Sequence, residues 1–264
     1  MVLGFVGCGN MAVAMLKGII KNKIVSREDI LASALHEEKL KKTGEELGIR
    51  TTTDNCQVAR EADILFLAVK PQFYETVIRE IRDSVSPEQI VVSIAPGKSL
   101  EWLGKAFGKD VRLIRCMPNT PALVGEGITG VCPGSLVSSG ELEQVCRILD
   151  GFGRSEVIPE NLMDAVVGVS GSSPAYVFLF IEAMADAAVA AGMPRAQAYR
   201  FAAQAVYGSA KMVLETGKHP GELKDMVCSP AGTTIEAVRV LEEKGFRSAV
   251  MEAVRACVDK SRGM

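Results

Sequence analysis

The stretch Val2–Ala12 constrains the fold more than any other part of the chain. Residues 3–6 form a short, mostly apolar run that is typical of a parallel strand covered on both faces. The turn Gly7-Cys8-Gly9 follows, and the apolar residues after it recur at the spacing of an amphipathic helix. A strand, a glycine turn and a helix, with Ala12 as the third small residue, form the setting in which Gly-x-Gly-x-x-Gly/Ala binds a dinucleotide. An ordinary tight turn is the alternative.

Each small residue of this motif has its own role. Gly7 permits the tight turn, Gly9 lets the backbone approach a pyrophosphate, and Ala12 lets the helix pack closely on the strand. The free amides at the helix start and the positive end of its dipole would face the phosphates. We therefore predict a nicotinamide or flavin dinucleotide site at this turn.

Composition and charge exclude several other classes of protein. The 264 residues are 48% hydrophobic and 23% charged, and the net charge is −2, so nothing favours nucleic acid or an anionic membrane as a partner. Seven scattered cysteines without a C-x-x-C motif favour reduced thiols over disulfides or a metal site. The first residues lack the basic segment of a secretion signal, so we expect a cytoplasmic protein.

Strands and helices alternate up to about residue 158, which predicts a parallel sheet with right-handed crossovers. After Pro159 only helices are predicted, so we place the domain boundary there. Residues 1–159 would form a Rossmann-type dinucleotide-binding domain, and residues 160–264 an all-helical dimerisation and substrate-binding domain. After the first strand, further strands are predicted at residues 30–34, 49–53, 64–69, 90–95, 111–117, 127–132 and 155–158.

The apolar segment Ala175–Ala191 resembles a membrane span in length. It carries Glu182 and Asp186, which would be costly in lipid, so we predict a helix buried in a bundle or at a dimer interface. A face of small side chains in the next helix, around Ala202 and Ala210, also suggests association with a second copy.

Cofactor choice depends on the end of the second predicted strand. An NAD-binding unit usually carries Asp or Glu there for the ribose 2′-hydroxyl. Here the strand ends in Ala32-Ser33-Ala34, with no acid before Glu37. Ser33 can bond a 2′-phosphate, with His36 or Lys39 nearby, or it can simply cap the turn. We favour NADPH and keep NADH as a second cofactor.

Three proline-containing breaks follow predicted strands, at residues 68–71, 94–97 and 117–121. Ligands of open α/β sheets bind at this edge, so these breaks are candidate cofactor or substrate contacts. Lys70 suits the cofactor edge better than the role of a catalytic acid. Asn119 and Thr120 can bond the carboxamide or the substrate. Turn formation alone is the alternative for all three breaks.

A second candidate site lies at residues 224–235, where small and hydroxyl-bearing residues lead into a helix. A helix start with Thr233, Thr234 and free backbone amides suits a carboxylate, although a cap without ligand has the same pattern. The serines of residues 170–174 form a similar pattern, which we interpret as a structural helix cap.

The missing catalytic motifs indicate the reaction type. His36 and His219 are the only histidines, neither is placed as a catalytic acid, and no metal cluster or serine-nucleophile motif is present. Reduction of a ketone needs a proton donor, whereas an imine can take its proton from water before hydride arrives. Carboxylate-binding amides and a hydroxyl without a strong acid therefore suit an imino acid.

Five motifs carry a resemblance to a known family: GFVGCGNMA at 4–12, FLAVKPQ at 66–72, RCMPNTP at 115–121, SGSSPAY at 170–176 and HPGELKDMVCSPAGTT at 219–234. Over nearly its whole length the chain resembles pyrroline-5-carboxylate reductases. The resemblance implies NAD(P)H-dependent reduction of 1-pyrroline-5-carboxylate to L-proline, the last step of proline biosynthesis. It also implies a homodimer, assembly of dimers into larger rings, and an active site between one cofactor domain and its partner's helices.

The resemblance further implies roles for individual residues. The phosphates would be held by Val6, Gly7, Cys8, Gly9, Asn10 and Met11, and the adenosine ribose would lie near Ser33 and Asn55. The cofactor would be flanked by Ala68, Val69, Lys70, Pro71, Ile94, Ala95 and Pro96. The substrate carboxylate would be bound by Ser229, Ala231, Gly232, Thr233 and Thr234. Thr234 would be the catalytic residue, donating a hydrogen bond to the ring nitrogen.

Three positions depart from the family pattern. Ser173 and Ala231 replace glycines of SGSGPAY and SPGGTT, and Pro96 removes an amide. Ala231 is then expected to have a negative φ. One alternative function is another NADP-dependent dehydrogenase with the architecture of 6-phosphogluconate or β-hydroxyacid dehydrogenases, which would need a catalytic lysine in the helical half. A non-catalytic dinucleotide sensor is the other.

Overall fold

The computed structural model describes residues 1–263 and divides into two compact units. The first unit contains residues 1–172 together with the C-terminal residues from 257 onwards, and the second contains residues 173–256.

The first unit is built on one eight-stranded sheet. Its strands are β1 (Leu3–Val6), β2 (Ile30–Ser33), β3 (Arg50–Thr52), β4 (Ile64–Leu67), β5 (Ile90–Ser93), β6 (Arg112–Met117), β7 (Gly127–Pro133) and β8 (Gly153–Val157). Their order across the sheet is β3-β2-β1-β4-β5-β6-β7-β8. The order reverses direction at β1, where ligands of open α/β sheets bind in the crevice outside the strand ends.

The sheet is parallel except at one pair, because β7 runs antiparallel to β6. The prediction of an entirely parallel sheet up to residue 158 is therefore wrong at this point. Residues 118–126, which join the two strands, contain only a short 3₁₀ turn, Thr120–Val124. A parallel return needs a crossover of a dozen or more residues, so this short connection makes an antiparallel neighbour instead.

Six helices connect the other strands, and a seventh follows β8. They are α1 (Asn10–Lys21), α2 (Glu37–Leu47), α3 (Asn55–Glu61), α4 (Tyr74–Ile81), α5 (Leu100–Phe107), α6 (Ser139–Leu149) and α7 (Met163–Val166). The sheet is buried on both faces: Phe5 of β1 stacks on Phe66 of β4 at a centroid distance of 4.7 Å, while Val6 packs into the cluster on the opposite face. Burial on both faces explains why the strands read as continuous apolar runs.

At Gly18, helix α1 packs so closely against Gly151 and Phe152 that no side chain fits. A Cβ atom at this position would lie 2.4 Å from Cβ of Phe152 and 2.7 Å from the Gly151 carbonyl oxygen. We expect Gly18→Ala to lower the free energy of unfolding by about 2 kcal/mol, because a packed backbone has to move. Gly104→Ala in α5 is the control, since its Cβ would meet no atom within 4 Å. Equal denaturation midpoints for both variants would contradict this packing argument.

A π-helical turn, Val167–Gly171, follows α7. Residues 170–174 were predicted to cap a new helix, and this prediction is wrong. The Ser170 hydroxyl donates backwards to the Val166 carbonyl at 2.9 Å, and the Ser172 amide donates to the Val167 carbonyl at 2.9 Å. The helical path continues through these serines, so they face no row of free amides.

The second unit is helical. It contains α8 (Ser173–Ala190), α9 (Arg195–Thr216), α10 (Pro220–Val227), α11 (Thr233–Glu243) and most of α12 (Phe246–Arg262). In α8 the large apolar side chains are exposed, including Phe178 at 64% and Leu179 at 68%. By length and composition the helical stretch 160–190 could cross a membrane, and 6% of its apolar window is buried within the chain. The predicted helix is present, and its burial in a bundle or at a dimer interface stays a prediction, because the single chain leaves most of its apolar side chains exposed.

Candidate active site

The turn after β1 requires glycine at its first position. Gly7 has φ +99°, and its amide donates to the Ser33 carbonyl at the end of β2 at 3.1 Å. A Cβ atom on Gly7 would lie 2.7 Å from the carbonyl carbon of Ala68, just after β4. The predicted turn therefore lies between the ends of β2 and β4, at the point where the strand order reverses.

Gly9 faces open space, whereas Gly7 is crowded. A Cβ atom on Gly9 would meet no atom of the chain within 4 Å. Gly9 is also the N-cap of α1, and no side chain caps this helix or places an acid in its first turn. Open space in front of uncapped amides is the arrangement that admits a phosphate. The residues of this turn therefore fit the pyrophosphate of a dinucleotide.

Cys8 lies between the two glycines and is 7% exposed. Burial raises the pKa of its thiol, and the positive charge of Lys39 opposes this shift. The thiol is thus protonated at neutral pH and acts as a small apolar residue.

The two residues predicted beside the adenosine ribose are in contact. Ser33 is fully buried, and its hydroxyl donates to Oδ1 of Asn55 at 2.7 Å. Nδ2 of Asn55 in turn donates to a carboxylate oxygen of Glu80 in α4 at 3.1 Å. The Ser33 hydroxyl is therefore already engaged, and Glu80 fixes the orientation of the Asn55 amide. Sequence reasoning missed Glu80 because α4 comes much later in the chain.

The loops after β4 and β5 lie at adjacent strand ends. The Ala68 amide donates to the Val6 carbonyl at 2.8 Å, and the Ile94 amide to the Leu67 carbonyl at 3.4 Å. Tyr74, which sequence reasoning also missed, is fully buried below them. Its hydroxyl donates to the Leu67 carbonyl at 2.5 Å and accepts from the Ser93 hydroxyl at 3.3 Å. Burial raises the pKa of Tyr74 well above its usual value, so the phenol stays neutral.

The Asn119 side chain makes two hydrogen bonds within the chain, and its predicted contact with the cofactor or substrate stays a prediction. Its Nδ2 donates to the Ser170 carbonyl at 3.1 Å, and its Oδ1 accepts from the Ile128 amide at 2.9 Å. The side chain is 7% exposed and braces the turn between β6 and β7.

The substrate loop predicted near residue 230 belongs to the helical unit. A turn closes where the Gly232 amide donates to the Ser229 carbonyl at 3.1 Å, and a Cβ on Gly232 would lie 2.4 Å from the Ser229 hydroxyl. Gly232 is the N-cap of α11, which starts at Thr233 and has no side-chain cap. Thr234 in the first turn is half-buried. Uncapped amides beside a hydroxyl can hold a carboxylate and donate one further hydrogen bond.

Ala231 has φ +55°, so the expectation of a negative φ at this position is wrong. The closed turn at residues 229–232 places this residue in the left-handed region, which costs a residue with a side chain about 1–2 kcal/mol. The substrate loop of this chain is therefore strained at one position where glycine would not be.

We expect Ala231→Gly to raise the free energy of unfolding by about 1 kcal/mol, because relief of the left-handed strain exceeds the added freedom of the unfolded chain. Lys23→Gly is the matched control, since Lys23 is the other described non-glycine residue with positive φ, at 54°. Denaturation at one fixed protein concentration tests both variants. A gain for Lys23→Gly without a gain for Ala231→Gly would show that the loop holds no strain.

Among residues 1–263 there is no group of three or more His, Cys, Asp or Glu side chains that could hold a metal ion. The candidate residues are therefore those of the cofactor turn, the neighbouring strand ends and the substrate loop.

Two family models match the chain. Residues 160–264 match "Pyrroline-5-carboxylate reductase dimerisation", and residues 2–97 match "NADP oxidoreductase coenzyme F420-dependent". A pyrroline-5-carboxylate reductase of Escherichia coli is 56% identical over 98% of this chain and 96% of its own, and one of Methanosarcina acetivorans is 47% identical over 98% and 96%.

Solved structures agree with these matches. Pyrroline-5-carboxylate reductase of Coxiella burnetii superposes with a TM-score of 0.92 at 34% identity, covering 99% of this chain and 97% of that one. The enzyme of Plasmodium falciparum, solved with NADP bound, gives 0.91 at 33% identity, covering 100% and 97%.

These matches confirm the predicted fold class, reductase activity, NADP cofactor and homodimer. They do not support the alternatives of a different dehydrogenase or a dinucleotide sensor. The chain belongs to the pyrroline-5-carboxylate reductase family.

Proposed function

We propose that this chain catalyses its family's reaction, reduction of 1-pyrroline-5-carboxylate to L-proline. The turn after β1 would bind the cofactor, and the loop before α11 would bind the substrate. The observation that carries this proposal is that both loops present uncapped helix amides, one of them beside open space at Gly9 and the other beside the Thr234 hydroxyl.

The cofactor turn would hold the phosphates through residues 6–11, with Ser33 and Asn55 beside the adenosine ribose. Residues 68–71 and 94–96 would flank the dinucleotide at the ends of β4 and β5. NADPH is favoured over NADH because β2 ends at Ser33 without an acid that would repel a 2′-phosphate. NADH remains a usable second cofactor.

The substrate loop would bind the carboxylate through Ser229, Ala231, Gly232, Thr233 and Thr234. Thr234 would lie against the ring nitrogen and donate a hydrogen bond to the lone pair that this nitrogen gains as hydride reaches the neighbouring carbon. Bound NADPH supplies hydride to the carbon of the C=N bond. The nitrogen takes its proton from water beforehand, so the product is a neutral secondary amine and the chain needs no strong acid.

Three further features are proposed for the whole protein. A domain division at 159/160 is supported by the end of β8 at Val157 and by the start of the dimerisation match at residue 160. Assembly of dimers into a larger ring follows the resemblance to the family. A cytoplasmic location is supported by seven cysteines that are all unpaired.

The test is to follow NADPH absorbance with the purified chain and 1-pyrroline-5-carboxylate. We expect oxidation of NADPH, slower oxidation of NADH, and no reaction with β-hydroxyacids and NADP. A chain that binds NADPH but leaves pyrroline-5-carboxylate unreduced would contradict the proposed function.

A further inference from the structure

An ion pair between a buried arginine and a partly exposed glutamate lies beside the loop that joins β5 to α5. Arg115 in β6 is 6% exposed, and its Nη1 donates to Oε1 of Glu160 at 3.0 Å. Nε of Arg115 is the one buried side-chain polar atom without a partner in the part of the chain that the structure describes. Glu160 is therefore the side chain that balances and orients this guanidinium.

The same Glu160 oxygen accepts a second hydrogen bond. It accepts the backbone amide of Leu100, the first residue of α5, at 2.7 Å. That amide has no acceptor within its own helix, and a carboxylate at a helix start is favourable. The Ser99 hydroxyl caps the Trp102 amide at 3.0 Å, so Glu160 completes the N-terminal cap of α5.

The start of this loop, at the end of β5, is also fixed by hydrogen bonds. Ser93, the last residue of β5, pairs with Arg115 in the strand register, and its hydroxyl reaches the buried Tyr74. Residues 94–99 thus run between two anchored points. They include Ile94, Ala95 and Pro96, the proposed cofactor contacts.

Apolar packing reinforces the anchor at Leu100. The Leu100 side chain packs against a cluster formed by Met117, Cys132 and Met163. Glu160 and Met163 are both at the start of the segment that matches the dimerisation model. The first turn of α5 is therefore held by this segment through both a hydrogen bond and packing.

We propose that Glu160 and Arg115 are positioning residues for the dinucleotide, acting through the loop at residues 94–99. This inference rests on the proposed function, because it takes Ile94, Ala95 and Pro96 as cofactor contacts. A buried ion pair usually adds little net stability compared with apolar side chains of similar size. Replacement of both partners should therefore change cofactor binding more than folding, whereas loss of Glu160 alone also leaves the Arg115 charge unpaired.

The test uses Glu160→Gln, which keeps an acceptor for Leu100 but loses the charge, and the double variant Arg115→Met/Glu160→Gln, which leaves no unpaired buried charge. We expect the KM for NADPH to rise about fivefold to tenfold in both, since small displacements of a binding loop weaken contacts strongly. The kcat and the KM for pyrroline-5-carboxylate at saturating NADPH should stay within about twofold.

Arg112→Met is the matched control, because Arg112 lies on the same strand and pairs with Glu141 at 2.8 Å, away from the loop. NADPH binding is measured by titration of the fluorescence of Trp102, the only tryptophan, which lies two residues after Leu100. The titration should show weaker binding in the Glu160 variants and wild-type binding in Arg112→Met.

Two results would overturn the inference. One is a lowered denaturation midpoint in the Glu160 variants together with a KM for NADPH equal to that of Arg112→Met, which would make the pair purely structural. The other is a wild-type chain whose Trp102 signal and activity do not respond to NADPH. If the wild type binds NADPH without reducing pyrroline-5-carboxylate, and the Glu160 variants bind it more weakly, the proposed function fails while the positioning role stands.

Discussion

Replacement of Gly9 by alanine is expected to weaken NADPH binding about a hundredfold while the chain stays folded. The added methyl group meets no protein atom within 4 Å, so the free chain has room for it. That same space is where a pyrophosphate would approach the amides of α1. A methyl group there separates the phosphate from its donors, at a cost of about 2–3 kcal/mol, which corresponds to about two decades in affinity.

Isothermal titration with NADPH measures this effect, and a melting curve without cofactor checks the fold. Gly140→Ala in α6 is the control, because its Cβ also meets no atom within 4 Å and it lies outside the cofactor turn. Gly7→Ala should behave differently from both variants. Its Cβ would collide with the Ala68 backbone, so the fold itself should lose stability. Unchanged NADPH affinity in Gly9→Ala would show that the cofactor does not bind at this turn.

The second large effect is expected for Thr234→Ala, with kcat reduced about tenfold to a hundredfold. Loss of one hydrogen-bond donor to the reacting nitrogen costs about 1–3 kcal/mol, and each 1.4 kcal/mol corresponds to about one decade in rate. The substrate carboxylate would still be held by the amides of α11, so the enzyme should be impaired rather than inactive. Steady-state kinetics with pyrroline-5-carboxylate at saturating NADPH measures the loss.

Thr234→Ser should restore most of the rate, because it returns the hydroxyl without the methyl group. Thr216→Ala is the control for loss of a threonine hydroxyl in the same helical unit, since the Thr216 hydroxyl has only local partners, donating to the Met212 carbonyl and accepting from the Lys218 amide. Unchanged kcat and KM in Thr234→Ala would show that this residue does not contact the substrate.

Local signals predicted most of the fold. The apolar run at Leu3–Val6, the glycine turn and the periodic helix after it are all contained within about twenty residues, and each forms the predicted element. Helix α2 ends at Gly48, whose φ of 69° is the left-handed conformation that glycine commonly adopts after a helix. The direction of β7 was missed because the prediction took strand alternation alone, although the segment 118–126 between the predicted strands is too short for a parallel crossover.

The errors at the site also have physical causes. Ala231 takes a left-handed conformation because the turn from Ser229 to Gly232 demands it, and residue type alone predicts the opposite. The hydrogen bonds of Asn119, and that between Ser33 and Asn55, join residues distant in sequence, so residue type alone does not reveal them. Tyr74 and Glu160 could not be recognised, because their hydrogen bonds cross between elements that only the folded chain brings together. The roles of the individual cofactor and substrate residues stay predictions.

The exposed apolar side chains of α8 have a consequence for how this protein should be handled. A helix that presents Phe178 and Leu179 to water gains its main stabilisation only when another surface covers it. Covering by a second chain makes that gain depend on subunit concentration through mass action. The melting temperature of the purified protein should therefore fall on dilution, and losses at nanomolar enzyme in an assay would reflect dissociation of subunits rather than weak chemistry.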